Sequence, residues 1–165
     1  MLDSIENAVR DTLGKFLQDW NTGSRMNWTS EIAMRLCLLS KTADWDYGAC
    51  ARGTPPGSAY GEWLYDICWF HEDDVCLTHL PLVVECEWSP DGACDGDFQK
   101  LLQARADHRP WIFQVATTAA AASMFEGSKS NIERFRASQS GDRYLFAAFV
   151  PAETASFQFC HYVHP

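Results

Sequence analysis

The hydrophobic period of this chain changes near residue 60, and that change limits the folds open to it. Upstream, Ile5, Val9, Leu13, Phe16, Leu17 and Trp20 recur at three- and four-residue steps, which predicts an amphipathic helix over 3–20. "NTGS" ends it. A second helix is expected from Thr29 or Ser30, either of which can cap it, with Glu31 in its first turn and Ile32, Leu36 and Leu39 along it. "ARGTPPGSAYG" is a loop, because its prolines and glycines continue neither regular structure. Downstream, "EWLYDICWF" and "PLVVECEW" have strand composition, with "VCLTHL" as a short strand between them.

"SPDGACDG" breaks the chain before helical spacing returns in "DFQKLLQARADH", where Phe98, Leu101, Leu102 and Arg105 share a stripe. Pro110 closes that helix and "WIFQVA" follows as a strand. Residues 118–138 are expected to be helical with an interruption at Gly127, and "RYLFAAFV" and "SFQFCHYV" to form a hairpin across "PAETA". This order predicts an α/β fold, a small mixed central β-sheet flanked by helices. A length of 165 residues suits a single domain spanning 1–165.

A net charge of −9 opposes broad attraction to a phosphate backbone or an anionic membrane, so a nucleic-acid partner would need a local basic patch. No signal-type or membrane-length apolar stretch stands out, and the chain reads as cytoplasmic. Seven cysteines without a CxxC pair are expected to be mainly small apolar core residues. His161 and His164 are expected on the surface, and His71 and His79 lack zinc-finger spacing. Trp63, Trp69, Trp88 and Trp111 fall in the strand region, where packing is the expected role.

Side chains alternate along a strand. Val83, Glu85 and Glu87 therefore share one face of "PLVVECEW", and Leu82, Val84, Cys86 and Trp88 the other. Likewise Leu64, Asp66 and Cys68 share a face of the preceding strand, opposite Tyr65, Ile67 and Trp69. If the strands adjoin, Asp66, Glu85 and Glu87 converge. Carboxylates roughly 5 Å apart repel by about 3 kcal/mol per pair at an effective dielectric near 20. Protonation of one group, or a hard divalent cation such as Mg²⁺ between them, relieves that. A sheet face turned to solvent would produce the same spacing.

"EWLYDICW", "LVVECEW" and "DFQKLLQARADHRPWIFQ" together resemble the core of the PD-(D/E)XK nuclease-like superfamily, in particular its small bacterial members of unassigned role. The resemblance covers about residues 60–115 and implies a restriction-endonuclease-like core, Mg²⁺ or Mn²⁺ as cofactor and phosphodiester hydrolysis. Carried over, Asp66 and Glu85 would hold the metal, and Glu31 on the helix would join them. Glu87 stands where the family usually has Lys, although some restriction enzymes of the superfamily have Glu there. Lys100 could supply a relocated ammonium; by the stripe above it points nearly away from the core. Gln99 flanks the stripe, and some members place a Gln on this helix beside the metal. The other reading is a nuclease-like fold without catalysis, acting as an acidic protein-binding module of the inhibitor or immunity type toward a basic protein partner.

Overall fold

The computed structural model describes residues 2–20, 27–42, 44–89 and 95–165. "NTGS", most of "SPDGACDG" and Cys94 lie outside the described residues. The elements in order are α1 (Ser4–Trp20), α2 (Trp28–Leu39), β1 (Gly48–Ala51), β2 (Ile67–Glu72), β3 (Leu77–Glu87), α3 (Asp95–Gln103), β4 (His108–Gln114), α4 (Thr118–Arg134), β5 (Arg143–Val150) and β6 (Ser156–Val163).

The six strands lie in the sheet in their sequence order. β1, β2 and β3 form an antiparallel meander; β4 and β5 join β3 in parallel; β6 returns antiparallel to β5. The chain is thus α/β, a mixed sheet flanked by helices. α3 and α4 are successive crossovers between parallel strands, and crossovers of one hand advancing the same way across a sheet fall on one face. That face packs Phe98, Leu101 and Ile132 against Val83, Trp111, Phe113 and Phe146. The other face packs Val9, Leu13, Phe16, Ile32 and Leu36, from α1 and α2, against Ile67, Trp69, Leu82, Val84 and Ile112. No helix among the described residues is long and apolar enough to cross a membrane.

Several boundaries differ from the sequence reading, each for a local reason. β1 was not expected, since "GACA" has neither branched nor aromatic residues; a Cβ on Gly48 would lie 2.3 Å from the Phe70 ring, so glycine is what lets β1 approach β2. "VCLTHL" and "PLVVECEW" contribute to one strand, β3, rather than two. Pro81 is accommodated where Trp69↔Leu82 gives way to His71↔His79, with one residue of β2, Phe70, facing two of β3, Leu80 and Pro81. β4 begins at His108 and includes Pro110, which closes no helix. Its pairing with β3 passes from Leu82↔His108 directly to Glu85↔Trp111, and Pro110, with no N–H to give, sits in that interval. α4 runs through Gly127 without interruption and ends at Arg134, short of residue 138.

The strand expected from residue 62 starts only at Ile67. Without strand alternation over 62–66, Tyr65 packs on the α3 face with Cys68, not with Ile67 and Trp69, and Leu64 is 62 % exposed. Trp69 and Trp111 lie on opposite faces, and Trp63 is 43 % exposed, stacked on Tyr60. Cys37, Cys50, Cys68 and Cys86 are buried thiols; Cys76 is exposed and Cys160 half-buried.

Candidate functional site

Asp66 ends the extension of β2 toward its N-terminus. Its carboxylate Oδ2 accepts the backbone N–H of Cys86 at 2.8 Å, occupying the ladder position a continued strand would have used. This sets Asp66 beside the C-terminal part of β3, the end of the parallel strands where ligands of open α/β sheets bind.

A polar cleft of about 530 Å³ opens there. Asp66, Glu62, Asp97 and Lys100 border it on one side. The start of α2 borders it too, through Asn27, Thr29 and Ser30, together with Arg52. Asn27 caps α2 by accepting the Thr29 N–H, and the Thr29 hydroxyl accepts the Trp88 indole N–H at 2.8 Å, so this wall is fixed by its own hydrogen bonds.

Glu85 is fully buried and does not line the cleft, whereas Cys86, on the other face of β3, does. Lys100 Nζ stands 3.2 Å from Glu85 Oε1 and 2.9 Å from Asp97 Oδ1. The ammonium brings charge without hydrogen-bond alignment, because neither oxygen of Glu85 has a hydrogen-bond partner among the described residues. Trp111, its neighbour across the ladder, likewise keeps an unbonded indole N–H. Burial pushes the Glu85 carboxyl up to about 8, Asp66 adds to the rise and Lys100 opposes it. Burial also raises Asp66, against the Cys86 N–H that favours its anion. For Lys100 burial acts downward, but Asp97 and Glu85 outweigh it and hold the ammonium above its ordinary range.

The sequence candidates therefore separate. Asp66, Glu85 and Lys100 come together. Glu87 shares the β3 face with Glu85, but its carboxylate turns back to accept the Ser89 N–H at 2.6 Å. Glu31 is paired with Arg35, which also binds Asp19. Gln99 is exposed and faces a separate groove with Leu102 and Phe135 between α3 and α4. The buried stripe of α3 explains the exchange of Gln99 and Lys100. It runs through Phe98, Leu101 and Ala104, with Leu102 half-exposed and Arg105 exposed, so the helix is rotated and Lys100 flanks the sheet. Cys86 packs on the opposite face from Glu85.

Sequence reasoning passed over Asp97 and Arg52, which no spacing rule singles out. It also passed over a second charged cluster. Among the described residues, the one triad of acidic and histidine side chains with ligand atoms all within 4.8 Å of one another is Asp3, Glu6 and His108. His161, expected on the surface, is 18 % exposed and reaches Glu6 Oε1 at 3.2 Å. The only sequence signal for this cluster is D-x-x-E at the start of α1, a capping-box spacing. Comparison of the chain with family models, curated proteins and solved structures yields no match.

Proposed function

We propose that the chain hydrolyses phosphodiester bonds of nucleic acid with the help of Mg²⁺ or Mn²⁺, through a PD-(D/E)XK-like site in which Asp66 and Glu85 hold the ion. Lys100 then supplies the ammonium that Glu87 does not. The observation carrying this reading is Glu85: a fully buried carboxyl that meets Lys100 at 3.2 Å, pushed up to about 8 by burial and by Asp66, a second raised carboxyl that lines a polar cleft together with Lys100. An enclosed carboxyl held by one partly exposed ammonium is costly in a fold unless it has a task or a ligand.

The donor set fits a hard cation. Asp66 and Glu85 offer oxygen alone, and Mg²⁺ is commonly held by one or two carboxylates, with waters and substrate phosphate completing its shell. Bound there, the ion would lower the pKa of a water and offset charge on the phosphate. Asp97 and Glu85 position Lys100 at the wall, where its ammonium can orient that water or neutralise the leaving oxygen. Arg52 and the capped start of α2 face the cleft with donors suited to phosphate oxygens. Glu62, Asp66 and Asp97 line the same cleft, so the positive charge that a nucleic-acid substrate needs from a chain of net charge −9 would come from the bound dication together with Arg52 and Lys100.

The test is calorimetry of Mg²⁺ and Mn²⁺ binding near pH 7 in buffers of different ionisation enthalpy. Binding by Asp66 and Glu85 releases up to about one proton, because Glu85 must ionise to become a ligand. Binding by ordinary surface carboxylates releases none. Absence of binding, or binding without proton release, favours the acidic protein-binding module, for which the exposed run Glu72, Asp73 and Asp74 beside exposed Val75 provides a surface.

A further inference from the structure

Toward the other end of the parallel strands, where β4 and β5 begin, a second constellation is built around the first turn of α1. Asp3 and Glu6 form a capping box: Asp3 Oδ1 accepts the Glu6 N–H at 3.1 Å and Glu6 Oε2 accepts the Asp3 N–H at 3.0 Å. Arg143 of β5 forks onto Glu6, its Nε 3.1 Å from Oε1 and its terminal nitrogen 2.5 Å from Oε2. These bonds fix both carboxylates and turn one oxygen of each toward imidazoles. Asp3 Oδ2 faces His108 Nε2 at 3.1 Å, and Glu6 Oε1 faces His161 Nε2 at 3.2 Å.

His108 supplies an independent sign of a ligand. Its side chain is 6 % exposed, and Nδ1 meets Glu6 Oε1 only at 3.6 Å, without a hydrogen bond. His161 is frustrated differently. Its Nε2 lies 3.2 Å from an Arg143 donor as well as 3.2 Å from the Glu6 oxygen, so it can satisfy one by lone pair or the other by proton, and not both.

We propose that Asp3, Glu6 and His108, joined by His161, form a site for a divalent transition-metal ion, separate from the Asp66 cleft, that fastens the first turn of α1 to β4, β5 and β6. Two imidazoles and two carboxylates suit Zn²⁺, for which mixed nitrogen and oxygen shells are ordinary, more than Mg²⁺. Arg143 serves as an outer partner that orients Glu6. With neutral imidazoles the two carboxylates and one guanidinium carry a net charge of −1, so a dication leaves +1 inside a chain of −9. A cavity of about 450 Å³, bordered by Asp3, His108 and Arg143, gives the ion a way in.

The experiment is titration of the chelator-treated full chain with Zn²⁺, read by calorimetry, together with zinc-edge X-ray absorption of the loaded protein. A single Zn²⁺ should bind with a shell of nitrogen and oxygen that includes imidazole. His108→Gln and Asp3→Asn should each weaken binding by roughly tenfold or more. Asp66→Asn should leave it unchanged, which separates this site from the nuclease-like one. No binding at micromolar Zn²⁺, wild-type affinity in both substituted chains, or a sulfur shell from the cysteines would overturn the proposal. The absorption spectrum of the wild type decides the matter even if His108→Gln does not fold.

Discussion

Lys100 Nζ lies 3.2 Å from Oε1 of Glu85, a carboxyl that is 1 % exposed. The pair is lopsided, because Lys100 retains 36 % of its side-chain exposure and also binds Asp97. Its worth depends on whether Glu85 is ionised.

Lys100→Met should therefore be tolerated below about pH 6, where Glu85 is protonated, and should cost more as pH rises. At pH 9 the expected loss is about 1 to 2 kcal/mol, less than for a fully buried pair because water screens the ammonium. Denaturant unfolding at pH 6 and pH 9 measures it. An equal loss at both pH values would show that Glu85 is charged throughout.

Glu85→Gln isolates the carboxyl itself. The folded-state value, about 8, is raised above the ordinary 4.5. The sign follows: the folded chain holds the proton more tightly, so stability is greatest below pH 4.5 and declines as pH rises through 8. The substituted chain lacks that decline. Relative to it, the wild type should lose on the order of a few kcal/mol between pH 4.5 and 8 in EDTA. Parallel pH profiles of melting temperature would count against a raised Glu85.

Leu101 is fully buried under α3, so Leu101→Ala should cost about 2 to 5 kcal/mol. Gln99→Ala, on the exposed side of the same helix, should stay within about 0.5 kcal/mol. Urea unfolding of the two chains tests the rotation that brings Lys100 to the cleft, and comparable losses would contradict it.

The alternation in "LVVECEW" was enough to put Glu85 and Glu87 on one face and Cys86 on the other, and the periods of "RYLFAAFV" and "SFQFCHYV" were enough for the last hairpin. What stayed hidden depends on contacts distant in sequence. The Asp66 side chain takes the N–H of Cys86, twenty residues on, where β2 stops, a contact no local pattern marks. Pro110 sits in a central strand because the pairing with β3 skips it. The buried stripe runs from Phe98 and Leu101 to Ala104, a residue too small to mark it in the sequence, and with that rotation Lys100, not Gln99, meets Glu85. The Asp3, Glu6, His108 and Arg143 cluster draws on α1, β4 and β5, and only its capping box leaves a local trace.

Thermal melts of the wild type and Asp66→Asn, each in EDTA and in millimolar Mg²⁺ or Mn²⁺, test the metal reading most directly. Asparagine keeps an oxygen for the Cys86 N–H while removing one charge next to Glu85, so the metal-free melting temperature should rise. The stabilisation that the ion gives the wild type should shrink or vanish in the same chain. A wild type that melts at one temperature with and without either ion would contradict the metal-dependent nuclease reading.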